Sequence, residues 1–161
     1  MVKDSLDAPN LIADIGGTNA RFALAFPDGR IGSECILSGA DYPDLIQAAA
    51  AYLREVAGPH PRRAAVAVAT PISGDWIQFT NSPWSFSTEA ARQALGLEQL
   101  LIINDFTALA LALPLLGPDE RRQVSEGTAV EKAPIGLIGP GTGLGVSGLV
   151  WSGQRWIPLD T

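Results

Sequence analysis

The stretch "LIADIGGTNARFALAF", residues 11–26, decides how the chain is read. Two apolar, strand-like runs flank a short polar insert, Asp14-Ile15-Gly16-Gly17-Thr18-Asn19. Short apolar runs bounded by turn residues read as β-strands, so the segment is a hairpin. Its turn has two readings. Gly-Gly can supply positive φ, with Asp, Thr and Asn as ordinary turn residues. Alternatively, a turn without Cβ atoms lets backbone N–H groups close on a polyphosphate as an anion-binding nest. On that reading the Thr18 hydroxyl and Asn19 amide add hydrogen bonds. Asp14, at the end of an apolar strand, would hold magnesium through water, because this ion keeps much of its hydration shell.

Outward from this hairpin, residues 11–15, 20–26 and 31–37 read as three successive strands, the second turn being Pro27-Asp28-Gly29. Tyr42, Leu45, Ile46, Ala49, Leu53 and Val56 recur at helical spacing, predicting a helix that starts near Asp41-Tyr42-Pro43 and stops at Gly58-Pro59. "AAVAVA" (64–69) reads as a buried strand, followed by a turn and a strand in "WIQFT". Ser87 is placed to cap a helix ending at Gly96, "LLII" (100–103) is another buried strand, and "FTALALALPLL" another helix. The order is β-β-β-α-β-α-β-α with a small hairpin after the fourth strand. Apolar strands alternating with helices predict a partly parallel sheet covered on both faces. Ligands of such sheets collect beyond the carboxyl ends of the strands. After a polar connector (118–132), read as helical, "APIGLIGPGTGLGVSGLVW" returns to strands and again sets a glycine-rich turn between apolar runs.

Bulk properties narrow the function classes. A chain of 161 residues buries about 70% of its unfolded surface and needs no disulfide or metal to fold. With 47% hydrophobic and 17% charged residues it is globular rather than disordered. The net charge of −6 and the absence of a basic stripe argue against a nucleic-acid partner. Cys35 is the single cysteine, which excludes an internal disulfide and suits a reducing compartment. No run approaches the ~20 apolar residues of a membrane span, since "FTALALALPLLG" is short and contains Pro114. The polar N-terminus carries no hydrophobic signal region. The expectation is a soluble, cytoplasmic protein with no membrane partner.

Two further stretches carry chemistry. "GPGTGLG" (139–145) is no Walker loop, because no Gly-Lys-Ser/Thr follows. Gly143, Gly145 and Gly148 match Gly-x-Gly-x-x-Gly, but "VSGLVW" continues as strand, so a second phosphate-gripping hairpin fits better than a dinucleotide fingerprint. In "LLIINDFTALALAL" the plain reading is that Asn104 or Asp105 caps the following helix. A carboxylate at the carboxyl end of a buried strand also sits where a ligand would, and there Asp105 can take a proton from a hydroxyl attacking a phosphate. In "TPISGDWIQFTNSPW", Trp76 and Trp84 are as compatible with core as with a site, and Asn81 is able to hydrogen-bond a polyol. His60, between two prolines, reads as an exposed loop residue.

Together "ADIGGTNARFAL", "DYPDL", "PISGDWIQFTNSPWSFS", "LLIINDFTALALALPLL" and "GPGTGLGV" resemble the bacterial glucokinases of the hexokinase–actin ATPase superfamily, in family order across nearly the whole chain. The resemblance implies a ribonuclease H-like βββαβαβα domain over 1–117. Residues 118–161 would then be the connector and opening strands of a second, truncated ATPase-type domain. It implies that the first loop, Ala13, Asp14, Ile15, Gly16, Gly17, Thr18 and Asn19, meets the phosphates of ATP. Asp14 would help place Mg²⁺, and Gly141, Thr142 and Gly143 would form the second phosphate loop. Asp105 would be the base for the glucose 6-hydroxyl, Asn104 would bind sugar hydroxyls, and Thr80 and Asn81 would lie near the sugar. Ser82 stands where the family often has His. The Glu-Gly-Gly-His motif that follows "RWIPL" in the family is absent before Thr161, as are the adenosine pocket and the terminal helix. The expectation is therefore a glucose 6-kinase domain with weak or no turnover alone. The alternative is a non-catalytic sugar- and nucleotide-binding remnant that self-associates through the apolar face where the second domain should pack. A related DNA-binding repressor is disfavoured by the acidic balance and by the lack of an N-terminal helix-turn-helix pattern.

Overall fold

Three antiparallel strands, β1 (Asn10–Ile15), β2 (Asn19–Ala25) and β3 (Ile31–Ser38), open the fold. They are followed by helix α1 (Leu45–Glu55), strand β4 (Arg63–Val68), the short hairpin β5 (Trp76–Gln78) and β6 (Ser85–Ser87), helix α2 (Thr88–Ala94), strand β7 (Gln99–Asn104) and helix α3 (Asp105–Ala112). The order read from the sequence is the order observed. Three more strands follow, β8 (Ile135–Pro140), β9 (Leu144–Trp151) and β10 (Trp156–Leu159). The computed structural model describes residues 8–140 and 144–159.

The chain divides into two units, one ending at Asn104 and the other starting at Asp105. Within the second unit α3 packs on β8, β9 and β10. In the first unit the sheet order is β3-β2-β1-β4-β7, with β4 parallel to both β1 and β7. Leu11, Ile15, Phe22, Leu24, Val66 and Val68 alternate onto one face and are buried with Leu45, Ala48, Ala49 and Tyr52 of α1 and Ala91 of α2. Phe22 stacks on Tyr52 with ring centroids 5.3 Å apart. The Tyr52 hydroxyl donates to Ser33 O (2.8 Å), and burial, then the nearby Cys35, pushes its pKa up. Each fully buried large side chain contributes about 1.5–3 kcal/mol.

Only one face of this sheet is covered within the unit, not both as expected. The right-handed crossovers β3–α1–β4 and β4–α2–β7 step across the sheet in one direction and so set α1 and α2 on the same side. The opposite face leaves Ile31, Ile36 and Leu101 exposed by 55%, 63% and 55%.

Local chemistry explains most element boundaries. Helix α1 starts later than the Asp41-Tyr42-Pro43 start read from its periodicity, because the Asp44 carboxylate accepts from Gln47 N (2.8 Å) and fixes the cap there. Residues Gly39–Asp41 form a separate 3-10 turn. The Ser87 hydroxyl caps α2 by accepting from Ala90 N (3.1 Å). Asp75 completes that end, taking the Ser87 hydroxyl on one oxygen (2.5 Å) and Glu89 N on the other (2.9 Å). Gly96, at φ +64°, follows the helix as its left-handed terminator. Trp84 is core and Trp76 is surface: Trp84 packs edge-on against Phe79 and donates from Nε1 to Tyr42 O (2.9 Å), whereas Trp76 is 59% exposed. Strand β5 is shorter than "WIQFT", ending at Gln78. The connector 118–132 is not helical beyond a 3-10 turn at Pro118–Glu120. It has no apolar stripe to bury, and polar sequence alone seldom holds a helix.

The capping cluster yields a stability prediction. Ser87→Ala should cost about 1 kcal/mol in urea denaturation, and Asp75→Ala a similar amount. The Glu89 carboxylate, held down to about 2 first by its hydrogen bonds from Arg92 and Gln93, adds an acid limb. Its folded pKa lies below the unfolded value, so its contribution is present above pH ~4.5 and fades as the pH falls toward 2. Glu89→Gln should flatten that part of the stability–pH curve.

Candidate active site

The parallel register makes Ile15, Val68 and Asn104 neighbours, so β1, β4 and β7 end level at their carboxyl edge. Chain leaving such an edge is where α/β sheets bind ligands. The loop after β1 is internally braced: Gly16 N donates to Asn19 O (2.9 Å), and Gly39 N donates to Thr18 O (2.8 Å). The Gly16 amide is therefore committed to the turn. Gly17 and Thr18 keep backbone N–H groups without a protein acceptor among the described residues.

Neither Gly16 nor Gly17 has positive φ, unlike Gly29, Gly58, Gly74 and Gly96. The conformational reading of Gly-Gly therefore fails. Gly17 answers a demand for space: a Cβ there would stand 3.0 Å from Asn81 O and 3.2 Å from Asn81 Cβ. The first loop and the segment carrying Thr80 and Asn81 lie against each other, and both of those residues are exposed. Ala13 and Ile15 turn the other way. Ala13 packs against the core, Ile15 is buried in it, and Ile15 O accepts from Ala69 N (3.1 Å), so they hold Asp14 and Gly16 in place rather than present side chains.

Asn104, half-buried, donates from Nδ2 to Thr70 O (3.3 Å). Thr70, itself buried, donates its hydroxyl to Gln78 O (2.9 Å). This relay ties the end of β7 to the hairpin that carries Thr80 and Asn81. Sequence reading missed Thr70, and only the pairing of strand ends shows its use.

Arg21 was also missed. It is the cross-strand partner of Asp14, and its Nη1 lies 2.9 Å from Asp14 Oδ2, with side-chain exposures of 60% and 51%. A pair this exposed is worth only about 0.2–1 kcal/mol, so Asp14 can exchange it for another cation. Among the described residues no cluster of three or more His, Cys, Asp or Glu could cage a metal. A lone carboxylate of this kind fits magnesium only in an outer role, with water and phosphate oxygens filling the octahedron.

In the second unit Asp105 begins α3, half-buried, and its Oδ1 accepts from Phe106 N (2.9 Å). Phe106 lies over Gly139 and Gly145, which face each other across β8 and β9. The Gly-x-Gly-x-x-Gly match runs into β9, which excludes the strand–loop–helix form that a dinucleotide fingerprint needs. Gly141, Thr142 and Gly143 lie outside the described residues. His60 is exposed, with Nε2 2.9 Å from Leu95 O, as befits a loop residue. No helix among the described residues is long and apolar enough to cross a membrane.

Known proteins share this sequence and fold. A bifunctional protein glk from Burkholderia orbicola is 52% identical over 155 residues, covering 96% of this chain and 24% of that protein. A glucokinase from Cupriavidus pinatubonensis is 51% identical over 153 residues, 92% of this chain and 44% of its own length. The chain thus spans less than half the length of these curated relatives. Among solved structures, a glucokinase from an Antarctic psychrotroph superposes with a TM-score of 0.85 at 39% identity, over 95% of this chain and 49% of that one. A ROK family glucokinase from Streptomyces griseus, in complex with glucose and AMPPNP, shares the fold at a TM-score of 0.61 and 18% identity, over 93% of this chain and 46% of that one. The architecture is that of the hexokinase–actin ATPase kinases. The glucokinase family model matches residues 11–161, and the chain belongs to the glucokinase family.

Proposed function

We propose that this chain carries the first phosphate loop, the sugar-facing edge and the general base of a glucokinase, which converts ATP and D-glucose to ADP and D-glucose 6-phosphate. What supports the reading above all is the level edge of β1, β4 and β7, with Gly17 fitted against Asn81, in a chain of this family. The glucose and AMPPNP held by the Streptomyces griseus enzyme of the same fold favour these substrate classes.

In this reading the Gly17 and Thr18 amides and the Asn19 side chain receive phosphate oxygens. Gly141, Thr142 and Gly143 form the second phosphate loop. Thr80, Asn81 and Asn104 hydrogen-bond sugar hydroxyls, the last held by its donation to Thr70 O. Asp105 accepts the proton of the glucose 6-hydroxyl as that oxygen bonds to the γ-phosphorus and the bond to the ADP oxygen breaks. Mg²⁺, held outside the first ligand shell by Asp14, would supply charge neutralisation on the phosphates. The reaction commits glucose to glycolysis in the cytoplasm. Replacing Asp105 by Asn keeps size and removes the base. Glucose 6-phosphate formation in a coupled assay should fall by about 10²–10⁴, with glucose binding by calorimetry changed less than tenfold. Measurable turnover of the parent chain that Asp105→Asn leaves unchanged overturns the assignment.

The exposed Ile31, Ile36 and Leu101 favour a second property, self-association of the isolated 161-residue chain. Sedimentation velocity should show concentration-dependent dimers or larger species, and Ile36→Lys should shift them toward monomer. A parent chain that stays monomeric at high concentration removes this property without touching the kinase reading.

A further inference from the structure

We propose that Phe106 is a positioning residue for Asp105, and that Gly139 and Gly145 are glycine because they form the seat for its ring. The inference rests on Asp105 being the general base of the reaction above. The two glycines are register partners across β8 and β9. A Cβ on Gly139 would lie 2.5 Å from Cζ and 2.6 Å from Cε1 of the Phe106 ring, and one on Gly145 would sit inside contact distance of Cζ and both Cε atoms. The ring therefore lies directly over both Cα positions. Neither glycine has positive φ, so backbone conformation does not demand them. Volume does.

Phe106 is also the residue whose N–H donates to Asp105 Oδ1 (2.9 Å). A short chain of contacts runs from the glycine pair to the ring, then to the Phe106 backbone, then to the carboxylate. Side-chain oxygens that cap helices ordinarily accept from the second or third amide of the helix. This bond goes to the very next residue, so it orients the Asp105 carboxylate rather than closing the helix end. Gly139 and Gly145 flank residues 141–143 in sequence, so the strands that bracket the second glycine-rich loop also seat the base. A group held this way is sensitive to small displacements, since about 1 Å of misplacement can cost about 10²-fold in rate.

The test crowds the seat at a distance from the base. Gly145→Ala should displace the ring and shift the Asp105 carboxyl ¹³C resonance. In the coupled assay it should lower kcat by about 10- to 100-fold, with glucose KM changed less than about threefold. Adding Phe106→Leu to Gly145→Ala removes the clash and should restore the resonance and part of kcat. Phe106→Leu alone is the milder variant, should Gly145→Ala fail to fold, and is expected to broaden and shift the same carboxyl signal. A Gly145→Ala or Phe106→Leu protein that only melts earlier, with the Asp105 resonance and kcat unchanged, overturns the proposal. Asp105→Asn separates the two ideas. If that variant loses turnover while Gly145→Ala changes neither signal nor kcat, the seat fails and the base stands; if it keeps full turnover, the base assignment itself is wrong.

Discussion

Burial of Leu11, Ile15, Val66 and Val68 beneath α1 and α2 holds β1 and β4 side by side, and β4 carries β7 in the same parallel sense. That register brings Ile15, Val68 and Asn104 to one edge, and the polar chemistry of the first unit depends on it. If β7 slipped by one residue, its side chains would change faces. Asn104 would then lose Thr70, and the relay to Gln78 would be cut. The apolar face therefore sets the height at which three strands release their chains.

Glycine plays three physically different parts here. At Gly29, Gly58 and Gly96 the backbone adopts positive φ, and the residue serves conformation. At Gly17 the backbone is ordinary and what is needed is room for Asn81. At Gly139 and Gly145 the room is for an aromatic ring. A motif written as a string of G symbols merges these demands. Substitution by Ala would strain the backbone in the first group and leave it unstrained in the other two, where it would instead displace a neighbour.

Much of the fold was legible because its signals are local. Short apolar runs, the Pro-Asp-Gly turn and the Ser87 cap each act within a few residues, and the element order followed from them. Asp14, Asn104 and Asp105 were legible as candidates because each ends or follows a buried strand. What escaped the sequence depends on pairings between distant segments. Arg21 matters to Asp14 only through antiparallel register, Thr70 to Asn104 only through parallel register, and Phe106 to Gly139 and Gly145 only once α3 lies on the later strands. The uncovered sheet face was missed for a related reason: alternating strands and helices announce crossovers, but the direction in which they step decides which face gets the helices. The helical reading of 118–132 failed because polarity without an apolar stripe gives a helix nothing to bury.

The division of the chain falls at the peptide bond between Asn104 and Asp105. Adjacent residues thus answer to different surroundings. Asn104 is fixed by Thr70 and belongs to the edge of the first sheet, whereas Asp105 is fixed through Phe106 by a glycine pair on the later strands. In the proposed reaction the sugar-binding amide of Asn104 and the proton acceptor Asp105 would be adjacent as sequence neighbours, each with its own anchor. One would make a static hydrogen bond and the other would meet a hydroxyl whose charge changes. On the same reading a phenylalanine follows the acid because its ring meets Gly139 and Gly145, which ties the first turn of α3 to β8 and β9.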